Sequence, residues 1–349
     1  VKIAVINDTH FGIRNDSDLF LNYFIEFFRD QFFPYLKENK IDTIIHLGDF
    51  FDRRKYINFN TLNRVTNEVL IPLKEMGIQM HCLVGNHDTY YKNTNRVNSV
   101  CQLLPAFDNI KTYGEFDVIN IDGTEIAMVP WINDSNEKDI VKQLKKCKAT
   151  IACGHFELTG YEVLRGVKFD GGMSDEVLSK FEIVLSGHFH LKSSHKNIYY
   201  LGTQYQMLFS DINEAKGFHV FNLKSRELEY IQNRNCIFHR IFYDDSATPK
   251  IDKIDFSQYE NKLVKIIVQR KTNPATYEKF IDGINSANAH EISIVDETFV
   301  PDDSNDVADL SVDTLSFIEK EIDQLIDVKN KDELKKMVHD IYFESLDND

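Results

Sequence analysis

No run of 18 or more apolar residues occurs anywhere in the 349-residue chain, so nothing in it reads as a membrane-spanning helix. The chain opens directly on the strand-like KIAVIND, without the pattern of a signal peptide. Cysteine is scarce: Cys82, Cys101, Cys147, Cys153 and Cys236 are odd in number and form no CxxC pair. That argues against a disulfide framework and suits reduced thiols in a cytoplasmic protein. Cationic residues are outnumbered, 40 Lys+Arg against 55 Asp+Glu, for a net charge of −15. At first sight this speaks against a nucleic-acid partner. The deficit is uneven, however, because residues 301–349 hold 15 Asp+Glu against 5 Lys, a net of −10, which leaves −5 on the first 300. A nearly neutral body that groups its acids around metal ions can still receive a phosphate backbone, so composition neither requires DNA nor excludes it. The length and the 42% hydrophobic content suit a soluble globular protein with one large core and an appendage, or two domains.

Short aliphatic runs recur at 2–7, 42–47, 78–84, 125–130, 150–153, 182–186 and 198–202. Helical patterns lie between several of them. Residues 16–37 repeat Phe20, Phe24, Phe27, Phe28 and Phe32 at helical spacing behind Asp16 and Ser17 as N-caps, a core-forming pattern. Residues 60–76 close on Gly77 as a C′ glycine, and a third helix spans about 137–146. This alternation predicts an α/β layered fold over residues 1–235. Beyond it, LVKIIVQ (263–269), a helix opened by Asn273-Pro274 and EISIV (291–295) form a small β-α-β unit, giving a second domain over 236–300. Residues 301–310 read as an acidic linker. Leu315, Ile318, Ile322 and Leu325, then Leu334, Met337, Val338 and Ile341, fall at helical spacing and predict a helical hairpin within 311–349. Its apolar stripe needs cover, either from a partner or from its own domain.

The strands end in a repeated way. KIAVIN runs into Asp8-Thr9-His10, DTIIHL into Gly48-Asp49, IQMHCLV into Gly85-Asn86-His87-Asp88, TIAC into Gly154-His155, and EIVL into SGHFHL, with His188 and His190. In an extended chain residues two apart point to the same side, so these last two histidines are expected to aim at one spot. Ligands of open α/β sheets bind beyond the carboxyl ends of the strands, and glycine lets the backbone turn tightly there. Asp8, His10, Asp49, Asn86, His155, His188 and His190 form a nitrogen/oxygen donor set with no thiolate. It is too large for one tetrahedral ion and suits two, with Asp49 as the shared carboxylate. Two ions roughly 3.5–4 Å apart activate water and clamp the attacking and leaving oxygens of a phosphoryl centre. Such ligation favours manganese or iron and is compatible with zinc or magnesium.

In this order D-x-H, G-D, G-N-H-D, G-H and G-H-x-H resemble the calcineurin-like metallophosphoesterases. DTHFG (8–12), GDFFDRRK (48–55), VGNHD (84–88), VPW (129–131), GHFELTG (154–160), YLGT (200–203) and KGF (216–218) are most similar to the SbcD-type DNA-repair nucleases, including the recombination endonuclease subunits of T-even-like phages. The resemblance covers residues 1–220. It implies a layered β-sandwich flanked by helices, with Asp8, His10, Asp49 and His190 on one metal and Asp49, Asn86, His155 and His188 on the other. It also implies His87 as the catalytic histidine, with Asp88 fixing its imidazole. By the same likeness the chain is a manganese-dependent 3′-to-5′ exonuclease on duplex DNA and an endonuclease on single strands. It would be a homodimer whose 236–300 domain flanks the DNA and whose 311–349 hairpin binds an SbcC-type coiled-coil ATPase, in the host cytoplasm if phage-encoded. One departure lies near the site: after YLGT the family usually has proline, whereas Gln204-Tyr205 stand here.

Other residues carry weaker signals. Arg53, Arg54 and Lys55 directly follow a metal-ligand motif and are read as phosphate contacts, with Lys92, Arg96, Arg165 and Lys168 as weaker candidates. His46 and His81 alternate within apolar strands and are read as core, His219 and His239 as structural, and His195 as a loop histidine. Trp131 is read as packing, with base stacking as the alternative. The rival functions are a two-metal phosphatase or phosphodiesterase for non-DNA substrates, and a scaffold that keeps the fold without catalysis.

Overall fold

A computed structural model of the chain describes residues 1–246 and 253–298, together with Ile322, Lys331, Leu334, Lys335, Met337 and Val338, which are helical. The linker 301–310 lies outside the described residues, as does the 311–349 hairpin apart from those positions. Two compact units are present: Val1–Met207 with Asn213–Asn235, and Leu208–Ile212 with the chain from Cys236.

The first unit is a sandwich of two six-stranded sheets flanked by helices. One sheet has the order Leu228–Gln232, Gly217–Asn222, Lys2–Ile6, Thr43–His46, Gln79–Leu83, Ile110–Tyr113. Its last four strands are parallel, and Gly217–Asn222 is antiparallel to both neighbours. The other sheet runs Ser193–His195, Ile198–Tyr200, Ile183–Ser186, Ile151–Gly154, Thr124–Val129, Asp117–Ile121, with the middle four parallel. Ile3, Val5 and Ile45 face Met128, Ile151, Cys153, Ile183 and Leu185 in the core between the sheets. The alternate residues Ala127, Val129, Ala152 and Val184 are buried on the outer face, under Ile140 and Leu144 of the helix Glu137–Lys146. Both faces are covered, which is why these strands read as unbroken apolar runs.

The Phe-rich helix Asp18–Phe27 packs as a core element. Phe24 stacks on Tyr205 with ring centroids 3.7 Å apart, and Phe27 and Phe32 meet Phe218 edge-on. Both long helices predicted near the N-terminus are interrupted by a π-helical turn, at Phe28–Phe32 and at Thr66–Leu70. In each case a proline follows within two residues, Pro34 and Pro72. Proline has no N–H and its ring clashes with the carbonyl four residues back, so a widened turn accommodates it without ending the helix.

The second unit holds a three-stranded parallel sheet, Phe238–Asp244, Leu263–Arg270 and Glu291–Asp296. Phe280 and Ile284 of the helix Pro274–Ser286 pack on Tyr243, Val264, Ile266 and Val268. Asn273 caps that helix, its side-chain oxygen accepting the Thr276 N–H at 3.2 Å. Two of these strands belong to the β-α-β unit expected from the sequence; the third, Phe238–Asp244, carries His239 and Arg240 and has no clean alternation. Among the described residues no helix is long and apolar enough to cross a membrane.

Candidate metal centre

Five strand ends converge at one edge of the sandwich. Their turns are strained: Asp8, His10, Asp49 and His188 all have positive φ (48°, 42°, 56° and 83°), a region costing non-glycine residues about 1–3 kcal/mol each. Glycine makes the close approach workable. Gly48 has φ 102°, and a Cβ there would lie 2.6 Å from His155 Nδ1 and 2.9 Å from the Gly85 backbone. The Asp8–His10 turn is tied down by the two residues that depart from the family pattern. The Tyr205 hydroxyl donates to the Thr9 carbonyl at 2.7 Å, and the Gln204 amide to the Asp8 carbonyl at 3.4 Å.

Among the described residues three overlapping triads have donor atoms mutually within 4.8 Å: Asp8, His10 and His190; His10, Asp49 and His87; and Asp49, His155 and His188. Asn86 joins the last, its Oδ1 lying 2.8 Å from His155 Nε2 and 3.0 Å from His188 Nδ1. The two outer triads share no residue; the middle one joins them, taking His10 from the first and Asp49 from the last. His188 and His190 therefore serve different triads and do not aim at one spot. The strand ends at Ser186 and the chain turns at His188, so the rule for an extended backbone no longer applies.

In several rings the nitrogen away from the centre is held. His155 Nδ1 donates to the Leu47 carbonyl at 2.8 Å, and His10 Nδ1 to the Asp52 carboxylate at 3.0 Å. His87 Nδ1 donates to the Asp52 carbonyl at 2.7 Å, and His188 Nε2 to Glu157 at 3.3 Å. This outer layer fixes tautomer and ring direction in metal-ligating histidines. Asp52 and Glu157 were missed by sequence reasoning, although both lie inside quoted motifs, GDFFDRRK and GHFELTG.

Asp88, read from the resemblance as the residue that fixes the His87 imidazole, holds backbone amides. Its buried carboxylate accepts the backbone N–H groups of Gly85 and Asp49 at 2.9 Å, Phe50 at 3.0 Å and Phe51 at 3.1 Å, clamping two strand-end turns together. Burial, reinforced by the charge of Asp49, pushes its pKa up to about 7 against those amides.

The electrostatics ask for positive charge. Burial raises the Asp8 pKa, and Asp49 adds to that rise. At Asp49 burial acts in the same direction, but His155, His87 and His10 outweigh it and hold the carboxyl well below its ordinary value. Burial would pull His155 down, yet Asp49 and Asp8 drive it up to about 9. His10 Nε2 and His190 Nε2 face each other at 3.2 Å, and His10 already gives its Nδ1–H to Asp52, so two ring nitrogens meet where a cation would satisfy both. The residues present thus fit a metal-ion centre.

The remaining candidates are placed as follows. Trp131 packs beside His188 and His155, with ring centroids 5.2 Å and 6.0 Å away. His46 is buried and bonds Thr9, and His81 bonds the Tyr113 hydroxyl; neither joins a triad. His219 lies against Tyr230, and His239 against Tyr259. Arg53 is paired with Asp16 at 3.4 Å, bonds Asn15 and the Tyr56 hydroxyl, and lies over the Tyr56 ring. Arg165 pairs with Glu214. Arg54 is half-buried, whereas Lys55, Lys92, Arg96 and Lys168 are exposed.

Comparison with known proteins bears on the same region. Exonuclease subunit 1 of Enterobacteria phage T4 is 31% identical over 333 residues, covering 95% of each chain. The SbcD component of the nuclease SbcCD of Staphylococcus epidermidis is 23% identical over 260 residues, 65% of this chain and 67% of that one. DNA double-strand break repair protein Mre11 of Sulfurisphaera tokodaii is 30% identical over 203 residues, 55% of this chain and 49% of that one. The calcineurin-like phosphoesterase family matches residues 1–192, a span that takes in all five strand ends. The chain belongs to the calcineurin-like phosphoesterases, whose dinuclear metal chemistry its histidine and aspartate cluster suits.

Proposed function

We propose that the protein is the nuclease subunit of a recombination-repair complex, a manganese-dependent DNA phosphodiesterase that acts as a 3′-to-5′ exonuclease on duplex DNA and an endonuclease on single strands. The observation that carries this is the pair of outer triads, joined by a third that takes His10 from one and Asp49 from the other, in a chain alike along 95% of its length to a phage exonuclease subunit. Asp8, His10, Asp49 and His190 would hold one Mn²⁺, and Asp49, Asn86, His155 and His188 the other. Bound there, the ions would supply an activated water and neutralise charge on the scissile phosphate. His87 gives its Nδ1–H to the Asp52 carbonyl, and its Nε2 would orient the phosphate or protonate the leaving oxygen. Its partners would be DNA, a second copy of the chain, and an SbcC-type ATPase bound through 311–349, in the cytoplasm, that of the host if phage-encoded. Lys55, Lys92 and Arg96 remain the exposed candidates for phosphate contact, and Arg53 would first have to leave Asp16.

The test compares manganese-dependent turnover of linear DNA with that of a small phosphodiester and a phosphopeptide. DNA cleavage is expected. Rapid turnover of the small substrates with DNA left intact would instead identify a phosphatase or phosphodiesterase for other substrates.

A further inference from the structure

Two residues after His87 the chain leaves the sandwich as a short antiparallel hairpin, Thr89–Tyr91 paired with Thr94–Asn98. An isolated two-stranded hairpin is marginal in water, and this one has no apolar core of its own. It stands on polar anchors. Buried Thr89 donates its hydroxyl to the Asn86 carbonyl at 2.9 Å, and the Ser99 N–H donates to the Asp88 carbonyl at 2.9 Å. Asn95 donates to the Trp131 carbonyl at 2.8 Å and to that of Gly114 at 3.3 Å, and its oxygen accepts from Asn133 at 2.7 Å. The base is thereby bonded to the loop that bears Asn86 and His87, and to the strand end beside His155 and His188.

The outer part carries what a packing role does not explain. Tyr90 (39% exposed), Tyr91 (53%) and Val97 (41%) all reach solvent, and the two tyrosine rings meet edge-to-face 4.7 Å apart. Lys92 and Arg96 are exposed alongside them, and TYYKNTNRVN (89–98) has no carboxylate, in a chain with net charge −15. Aromatic faces interleaved with cations, on a rigid mount beside a phosphoryl-transfer centre, suit an unpaired nucleic-acid strand: the rings take bases and the cations take phosphates.

We infer that the hairpin 89–98 is a stacking platform for unpaired bases of the DNA strand leading into the metal centre, with Tyr90 and Tyr91 as the stacking residues. This rests on the proposed DNA nuclease activity and goes beyond it by assigning the element that selects single-stranded or frayed ends. A double-helical substrate keeps its bases stacked internally and gains nothing from the rings.

The experiment measures binding of the full-length Tyr90→Ala/Tyr91→Ala variant to a labelled single-stranded oligonucleotide and to a blunt hairpin duplex, with turnover of a small phosphodiester as the control for the centre. Weakening on the single strand by roughly 5- to 150-fold is expected, with a much smaller change on the duplex and unchanged turnover of the small substrate. Tyr90→Phe/Tyr91→Phe, which keeps both rings, should bind like the parent. Equal binding of parent and alanine variant to the single strand overturns the platform while leaving the nuclease reading intact. If the parent binds no DNA at all, it is the nuclease reading that fails. A fall in small-substrate turnover equal to the loss of binding would show that the tyrosines act through the His87 loop, and would also overturn the platform.

Discussion

Single residues do the positioning at this centre, and the useful ones are not always those that a motif suggests. Asp52 serves two histidines at once, His10 through its carboxylate and His87 through its carbonyl, whereas the neighbouring candidate Asp88 holds backbone amides. A linear pattern records that an acid stands near a histidine but not which atom reaches it. Glu157 illustrates the same limit, since only the fold brings it to His188 Nε2. Glu157→Ala is expected to weaken one of two Mn²⁺-binding steps roughly 10- to 100-fold in a calorimetric titration, with Glu157→Gln retaining most of the affinity because its carbonyl still accepts the N–H. Equal isotherms for parent and Glu157→Ala would remove Glu157 from this role. Away from the centre, burial and then Lys192 pull the pKa of His219 down to about 3, from the 6.5 of an unfolded chain. The unfolded state therefore binds a proton that the folded state refuses between those values. The stability contributed by neutral His219 is complete above 6.5 and is lost as pH falls towards 3, at up to about 1.4 kcal/mol per pH unit. Urea unfolding at about pH 7 and about pH 5 should show a smaller acid loss for His219→Gln than for the parent; matching losses would contradict this.

At the scale of elements, the strands and their ends were legible because each apolar run stops at a glycine or a polar residue where the sheet stops. Two physical facts were hidden. Backbone dihedrals do not show in a residue pattern, so the turn at His188 could not follow from spacing, and separate metals for His188 and His190 were expected only from the family resemblance. The edge strand Leu228–Gln232, its neighbour Gly217–Asn222 and the strand Phe238–Asp244 mix polar with apolar residues, which blurs the alternation that marks a strand. The close contact of the Asp49 and Asn86 turns yields a prediction of its own. Gly48→Ala introduces a Cβ against His155 and Gly85 at a backbone angle that disfavours it. A loss of about 2–5 kcal/mol in unfolding free energy is expected, together with weaker metal binding. A stable variant with unaltered metal affinity would show that the turn has room.

For the whole molecule, two structural units and an acidic C-terminal stretch accompany one catalytic edge. The first unit contains every proposed ligand. Removing residues 311–349 is therefore expected to abolish co-purification with the ATPase and to leave manganese-dependent hydrolysis by the remainder largely intact. Failure of the shortened chain to fold would mean that the hairpin packs on its own protein. One chemical property is central, that a metal-loaded centre with His87 beside it cleaves DNA. The direct measurement is cleavage of end-labelled linear DNA by the parent and by His87→Ala, in Mn²⁺ and in chelator, with the ions bound per chain determined on both proteins. Mn²⁺-dependent cleavage by the parent is expected, with roughly 100- to 10,000-fold slower cleavage by His87→Ala and the same two ions bound to each. Cleavage that survives chelation, or that is unchanged in His87→Ala, would contradict it.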